Sequence, residues 1–126
     1  MSVHANDRRP DIRFDQGRHY RAKIGFVLLA TEQTVEDDVI TLRPEGVGIH
    51  FSRAPIPDSI TNDTLAAQVD ELADAAATLL PDGSLDVVCY GCTSGSLVIG
   101  EERVFEELNK GAPKAIATSI ISGVIR

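Results

Sequence analysis

Leu85-Asp86-Val87-Val88-Cys89-Tyr90 runs directly into Gly91-Cys92-Thr93-Ser94-Gly95-Ser96. The first six residues form a short apolar run of the kind that a strand buried within a sheet requires. The next six are small and polar and read as a tight turn. A helix then continues to about Asn109, where Lys110-Gly111-Ala112-Pro113 ends it. Strand, turn and helix in that order make the repeating unit of a parallel sheet.

The same unit recurs on both sides. Ile24-Gly25-Phe26-Val27-Leu28-Leu29-Ala30 is a second continuous apolar run, followed by the polar turn Thr31-Glu32-Gln33-Thr34. Val35, Val39 and Leu42 then stand at helical spacing, behind an acidic first turn that suits the helix dipole. Pro44-Glu45-Gly46 ends that helix and Val47 to Phe51 makes a strand. Arg53 to Asn62, with two prolines, reads as a loop. Leu65, Val69, Leu72, Ala76 and Leu79 predict one helix, capped by Thr61 or Asn62 and stopped by Pro81-Asp82-Gly83. Lys114 to Thr118 reads as the fourth strand. Ser119 onward reads as a helix barely begun at Arg126, which points to further chain beyond it. Residues 1–22 are polar and charged and read as a loosely packed arm, leaving 23–126 as the domain.

Strands alternating with helices predict an α/β fold: a three-layer, doubly wound, parallel four-stranded sheet in flavodoxin-like order. In such sheets ligands bind outside the carboxyl ends of the strands, where the strand order reverses. The first and third strands flank that point. Thr31–Thr34 and Gly91–Ser96 are therefore expected to share one crevice.

Composition narrows the class. The chain has 126 residues, 43% of them apolar and 5% aromatic, so its core is expected to be aliphatic. The net charge of -7 argues against nucleic acid or an anionic membrane as partner. No apolar run approaches a membrane span, and no secretory signal stands at the N-terminus. Two cysteines three residues apart do not make a disulfide framework, so a cytoplasmic protein is expected.

Cys92 carries the chemistry. A thiol where a helix opens has its thiolate favoured by backbone N–H groups and the dipole, and the same groups can receive a carboxylate. Thr93, Ser94 and Ser96 offer hydroxyl donors, and Gly91 and Gly95 would let the backbone approach a ligand. The plain alternative is a buried cysteine serving as a small hydrophobe. Thr31, Glu32 and Gln33 face the same crevice, either touching ligand or capping the next helix. Cys89 falls inside the strand, which disfavours a redox role for Cys89-Tyr90-Gly91-Cys92. Zinc would need His4, His19 or His50 to complete a site, two of them in the arm, which disfavours it. His50 reads as structural, Tyr90 as core or domain-interface packing, and Glu101-Glu102 and Glu106-Glu107 as a solvated helix face.

The strand Lys23–Leu29, the turn Thr31-Glu32-Gln33-Thr34-Val35-Glu36 and the segment Asp86 to Ser96 together resemble the N-terminal half of the aspartate/glutamate racemase superfamily. Pro44-Glu45-Gly46-Val47 is similar to its maleate cis-trans isomerases, and Leu29-Ala30-Thr31-Glu32-Gln33-Thr34 to an ectoine-utilisation branch. The resemblance implies one half of a two-domain, pseudo-symmetric enzyme with its active site between the halves. Each half of such an enzyme supplies one cysteine, and none needs a cofactor or metal. Racemases use the pair as base and acid. In maleate isomerases the first cysteine adds to the double bond, the bond rotates and the thiolate leaves. By that likeness Cys92 is the first-half nucleophile or base, and Thr93 and Ser94 hold a carboxylate of a small carboxylate or dicarboxylate substrate. Arylmalonate decarboxylases carry Gly where Cys92 stands, so isomerase or racemase is favoured over a decarboxylase. A non-catalytic small-acid-binding protein is the other reading. Maleate isomerases carry Asn where Glu32 aligns, which speaks against maleate itself. The opposing cysteine must come from a missing second half or from a second copy of the chain, and the chain alone is expected to show little activity.

Overall fold

The computed structural model describes residues 10–125. Its elements run β1 (Ala22–Leu29), α1 (Val35–Leu42), β2 (Val47–Ala54), α2 (Asn62–Ala67), α3 (Val69–Ala77), β3 (Val87–Tyr90), α4 (Thr93–Ile99), α5 (Glu101–Gly111), β4 (Ile116–Ser119) and α6 (Ile120–Ile125). The four strands form one all-parallel sheet in the order β2-β1-β3-β4, as expected from the alternating pattern. The longest apolar run, β1, lies inside the sheet and pairs with both β2 and β3, so that both of its edges are covered by protein.

The register assigns the side chains to two layers. Val27 and Leu29 of β1, Ala54 of β2 and Val88 and Tyr90 of β3 share one face and pack with Leu65 and Leu72 of the helices between β2 and β3. Val104 and Leu108 of α5 complete that core. Ile24, Phe26 and Leu28, with Ile49 and Phe51 of β2 and Val87 and Cys89 of β3, take the other face. There the Phe26 and Phe51 rings stack at 5.8 Å, and α1 packs near β2.

Two helices predicted as continuous are each broken once. The stretch from Leu65 to Leu79 divides at Gln68, whose N–H turns back to Leu65 O at 3.2 Å in a tighter turn. Its side-chain amide donates to Pro55 O, a bond that an outward-facing glutamine would forgo. The apolar spacing survives because Gln68 keeps right-handed helical angles. The second break is at Gly100, with φ +92, a conformation that a side chain would strain. It caps the end of α4 and the start of α5. The start of α2 is fixed as the sequence indicates: Thr61 and Thr64 form a reciprocal capping box.

β2 runs on to Ala54, so Arg53 belongs to the strand and not to the loop after it. Ahead of β1, residues 10–17 are exposed, but the last residues of the arm are tied down. Arg21 N–H donates to Gly46 O at 2.9 Å and the His19 ring meets His50 edge-on at 5.7 Å. The part of the arm before Pro10, including His4, lies outside the described residues.

Candidate active site

β1 and β3 are neighbours in register, Val27 opposite Tyr90, and Gly91 N–H extends the pairing to Val27 O at 2.8 Å. Both strands end at the same edge, so the turn after β1 and the turn after β3 emerge side by side. Cys92 is the residue at which β3 becomes α4. It is extended (φ -131, ψ 109), and its side chain caps the helix, with Gly95 N–H donating to Sγ at 3.3 Å. Its carbonyl accepts the N–H of Ser96 at 3.0 Å and the Ser96 hydroxyl at 2.8 Å. The residue is only 8% exposed and belongs to the edge of the main core.

Thr93 and Ser94, in the first turn of α4, are exposed beside it. Ser96 is not available as a donor to ligand: it is buried and its hydroxyl is spent on the Cys92 carbonyl. Gly91 and Gly95 also serve packing within the chain. A methyl group at Gly91 would run into Leu28, and one at Gly95 into the Tyr90 hydroxyl.

In the neighbouring turn, Thr31 and Gln33 are exposed. Glu32 is engaged internally. Its Oε1 accepts the N–H groups of Gln33 at 3.0 Å, Thr34 at 2.7 Å and Val35 at 3.1 Å, and the Thr34 hydroxyl at 3.0 Å. These bonds, those from Thr34 and Val35 above all, hold its carboxyl below the usual carboxylate range. Glu32 therefore keeps its negative charge, and its Oε1 is engaged by the amides leading into α1. Arg53, which sequence reasoning placed in a loop, clamps the same turn. Its guanidinium donates to Leu29 O at 3.1 Å and Glu32 O at 2.8 Å and pairs with Glu36. The signal was present in the alternation Ile49, Phe51, Arg53, which continues the strand.

The two cysteines are free thiols in contrasting settings. Cys89 faces the opposite side of the sheet, its Sγ near Tyr90 O at 3.8 Å, and burial pushes its thiol up to about 12. Tyr90 is fully buried behind Cys92. Burial pushes its hydroxyl well above the ordinary tyrosine range, and the charge of Cys92 and a hydrogen bond to it push in the same direction. Two of the four α5 glutamates, Glu101 and Glu107, depart from the solvated face expected of them. Glu107 is buried and paired with Arg103 and Lys110, and Glu101 accepts from the hydroxyls of Ser119 and Ser122. Glu102 and Glu106 are exposed as expected.

His50 is half-buried, and its Nε2 has no hydrogen-bond partner among the described residues. Those residues contain no cluster of three or more His, Cys, Asp or Glu side chains that could hold a metal ion. Among them, no helix is long and apolar enough to cross a membrane. A cleft of about 160 Å³ between Leu80–Gly83 and Gly111–Lys114 lies at the edge where β3 and β4 begin, opposite to Cys92.

No protein-family model matches the chain, and no curated protein matches it in sequence. Solved structures do. The maleate isomerase Iso of Pseudomonas putida S16, in a variant crystallised with maleate, aligns with a TM-score of 0.66 at 19% identity, covering 82% of this chain and 46% of that one. The fold is that of half a maleate isomerase. A maleate cis-trans isomerase of Nocardia farcinica, in a cysteine variant with a covalently bound succinylcysteine intermediate, aligns with a TM-score of 0.60 at 23% identity, covering 78% of this chain and 44% of that one. The chain thus spans about half the length of these isomerases, and what it shares with them is the fold.

Proposed function

We propose that the chain is the Cys92-bearing half of a cofactor-independent isomerase or racemase acting on a small carboxylate or dicarboxylate in the cytoplasm. The observation that carries this reading is the position of one sulfur. Cys92 Sγ caps the helix that opens at the carboxyl edge of β3, and it accepts an N–H from that helix. A thiolate there gains from the aligned backbone donors. The neighbouring exposed hydroxyls of Thr93 and Ser94 are suited to hold a carboxylate next to the reacting carbon. Thr31 and Gln33, on the adjacent turn, form the second wall.

Two courses fit this arrangement. On an unsaturated diacid the sulfur adds to one alkene carbon and the π electrons pass toward the adjacent carboxylate. The carbon–carbon bond, now single, rotates, and expulsion of the thiolate restores the double bond. On a saturated acid the sulfur removes the proton beside the carboxylate, and an opposing acid returns one to the other face. In the second course the opposing group comes from outside this domain, because Cys89 lies on the far face of the sheet. A second half, or a second copy of the chain, supplies it.

Alkylation of the two cysteines tests the reading. Cys92 is expected to react at neutral pH at least about tenfold faster than Cys89, and maleate or a saturated dicarboxylate is expected to protect it. Equal, slow labelling of both thiols, unaffected by dicarboxylates, overturns the assignment.

A further inference from the structure

Behind Cys92 lies a short buried polar chain that packing alone does not require. Gln68 donates its amide N–H to Pro55 O. A carbonyl can only accept, so this bond fixes the orientation of the amide and turns Gln68 Oε1 toward Tyr90. The Tyr90 hydroxyl reaches that oxygen at 3.4 Å, long for a bond between two oxygens. Beside the hydroxyl stands Gly95, where a methyl group would run into it, and the N–H of that same Gly95 holds the Cys92 sulfur at 3.3 Å. Both Gln68 and Tyr90 are fully buried.

We propose that Tyr90 is a positioning residue for the Cys92 sulfur: its hydroxyl donates weakly to Gln68 while Cys92 is a thiol and turns to the sulfur when the thiolate forms or is expelled. The hydroxyl has one proton and two possible acceptors. Toward neutral Gln68 its bond is stretched. Toward a charged sulfur it becomes charge-assisted, and such bonds are about twice as strong as neutral ones. Together with Gly95 N–H at 3.3 Å, Tyr90 gives the thiolate two donors from inside the domain. The rise in the Tyr90 hydroxyl attributed to Cys92 agrees with that direction of donation. The other charged groups on the elements packed against α4 are engaged or exposed elsewhere. Asp63 of α2 faces solvent, Glu101 of α5 takes the Ser119 and Ser122 hydroxyls, and α6 carries no charged side chain.

The inference rests on Cys92 as the reactive thiol, and its test needs no substrate. In a Cys89→Ser chain the thiolate absorbance of Cys92 is followed against pH, with and without Tyr90→Phe. Loss of the hydroxyl is expected to lower the thiolate fraction at a given pH about tenfold, moving the midpoint up by about one unit. Gly95→Ala keeps the N–H donor and adds a methyl group in the place of the hydroxyl, so it is expected to move the midpoint in the same direction. It carries the test alone if Tyr90→Phe fails to fold. Midpoints that coincide with that of the parent chain overturn the inference. A Tyr90 effect without dicarboxylate protection of Cys92 sinks the proposed function alone; protection without a Tyr90 effect sinks this inference alone.

Discussion

The two faces of the sheet are built from the same aliphatic alphabet but packed to different depths. On the face that carries Tyr90, helices α2 to α5 enclose Val27, Val88, Leu72, Val104 and Leu108 without exposure. On the face that carries Cys89, Phe26, Phe51, Ile24 and Val87 are only half-buried, and Ile116 at the sheet edge is 72% exposed. The helix lying nearest that second face, α1, contains no buried residue. The candidate site grows from the well-packed face. A sulfur that must meet two fixed donors needs neighbours that cannot drift, and dense packing on one side of Tyr90 supplies them.

The cysteines give the sharpest test of that contrast. In the assembled enzyme Cys92→Ser is expected to lower turnover at least about a thousandfold, as loss of a nucleophile does, whereas Cys89→Ser stays within a few-fold of the parent. Equal losses would show that the second face takes part in the chemistry. Stability should divide in the same sense. Leu72→Ala, in the deep layer, is expected to cost about 3 kcal/mol in urea unfolding, through lost transfer energy and the cavity left behind. The adjacent pair Val88 and Val87 repeats the comparison at one residue's separation. Val88→Ala is expected to cost about 2 kcal/mol and Val87→Ala less than about 1 kcal/mol, since only the first side chain is fully enclosed. Equal costs would mean that the second face is as well covered as the first when the chain is in solution.

The sheet was legible because its strands are continuous apolar runs separated by Gly, Pro and Asp, and periodicity reports that pattern directly. What escaped was decided by tertiary contact. Gln68 breaks its helix to reach Pro55, across a loop that no local spacing describes. Glu107 reads as surface from its charged neighbours, yet it is buried where Arg103 and Lys110, one helical turn away on either side, neutralise it. Gly95 invites a ligand-facing explanation in a small-residue turn. Its place is set instead by the tyrosine five residues earlier, because the chain doubles back at Cys92. Gly100 could have been suspected, since a glycine inside a predicted helix is a permitted breaker, and its positive φ makes it one. Gly100→Ala should cost about 1 kcal/mol from that conformation alone, because a methyl group there meets nothing within 4 Å.

The smallest expected effect is a pH dependence within the well-packed side. His50 sits on the well-packed side, half-buried near His19 and Lys23, with Nε2 unpartnered among the described residues. Burial first, then the positive charge of those neighbours, holds its pKa below the ordinary 6.5. The unfolded chain therefore takes up this proton before the folded one does. The contribution of His50 is complete above the unfolded value and is lost as the pH falls toward the folded one. Glu107 behaves alike in a lower window. The Lys110 bond above all holds its carboxyl below the ordinary 4.5, so its contribution is present above that value and disappears as acid protonates it. The thermal midpoint is thus expected to fall in two steps on acidification, a shallow one below about pH 6.5 and a further one below about pH 4.5. His50→Asn should flatten the first step and leave the second. A first step unchanged by that substitution would assign it to another group, and the well-packed face would then carry no proton-sensitive residue at that edge.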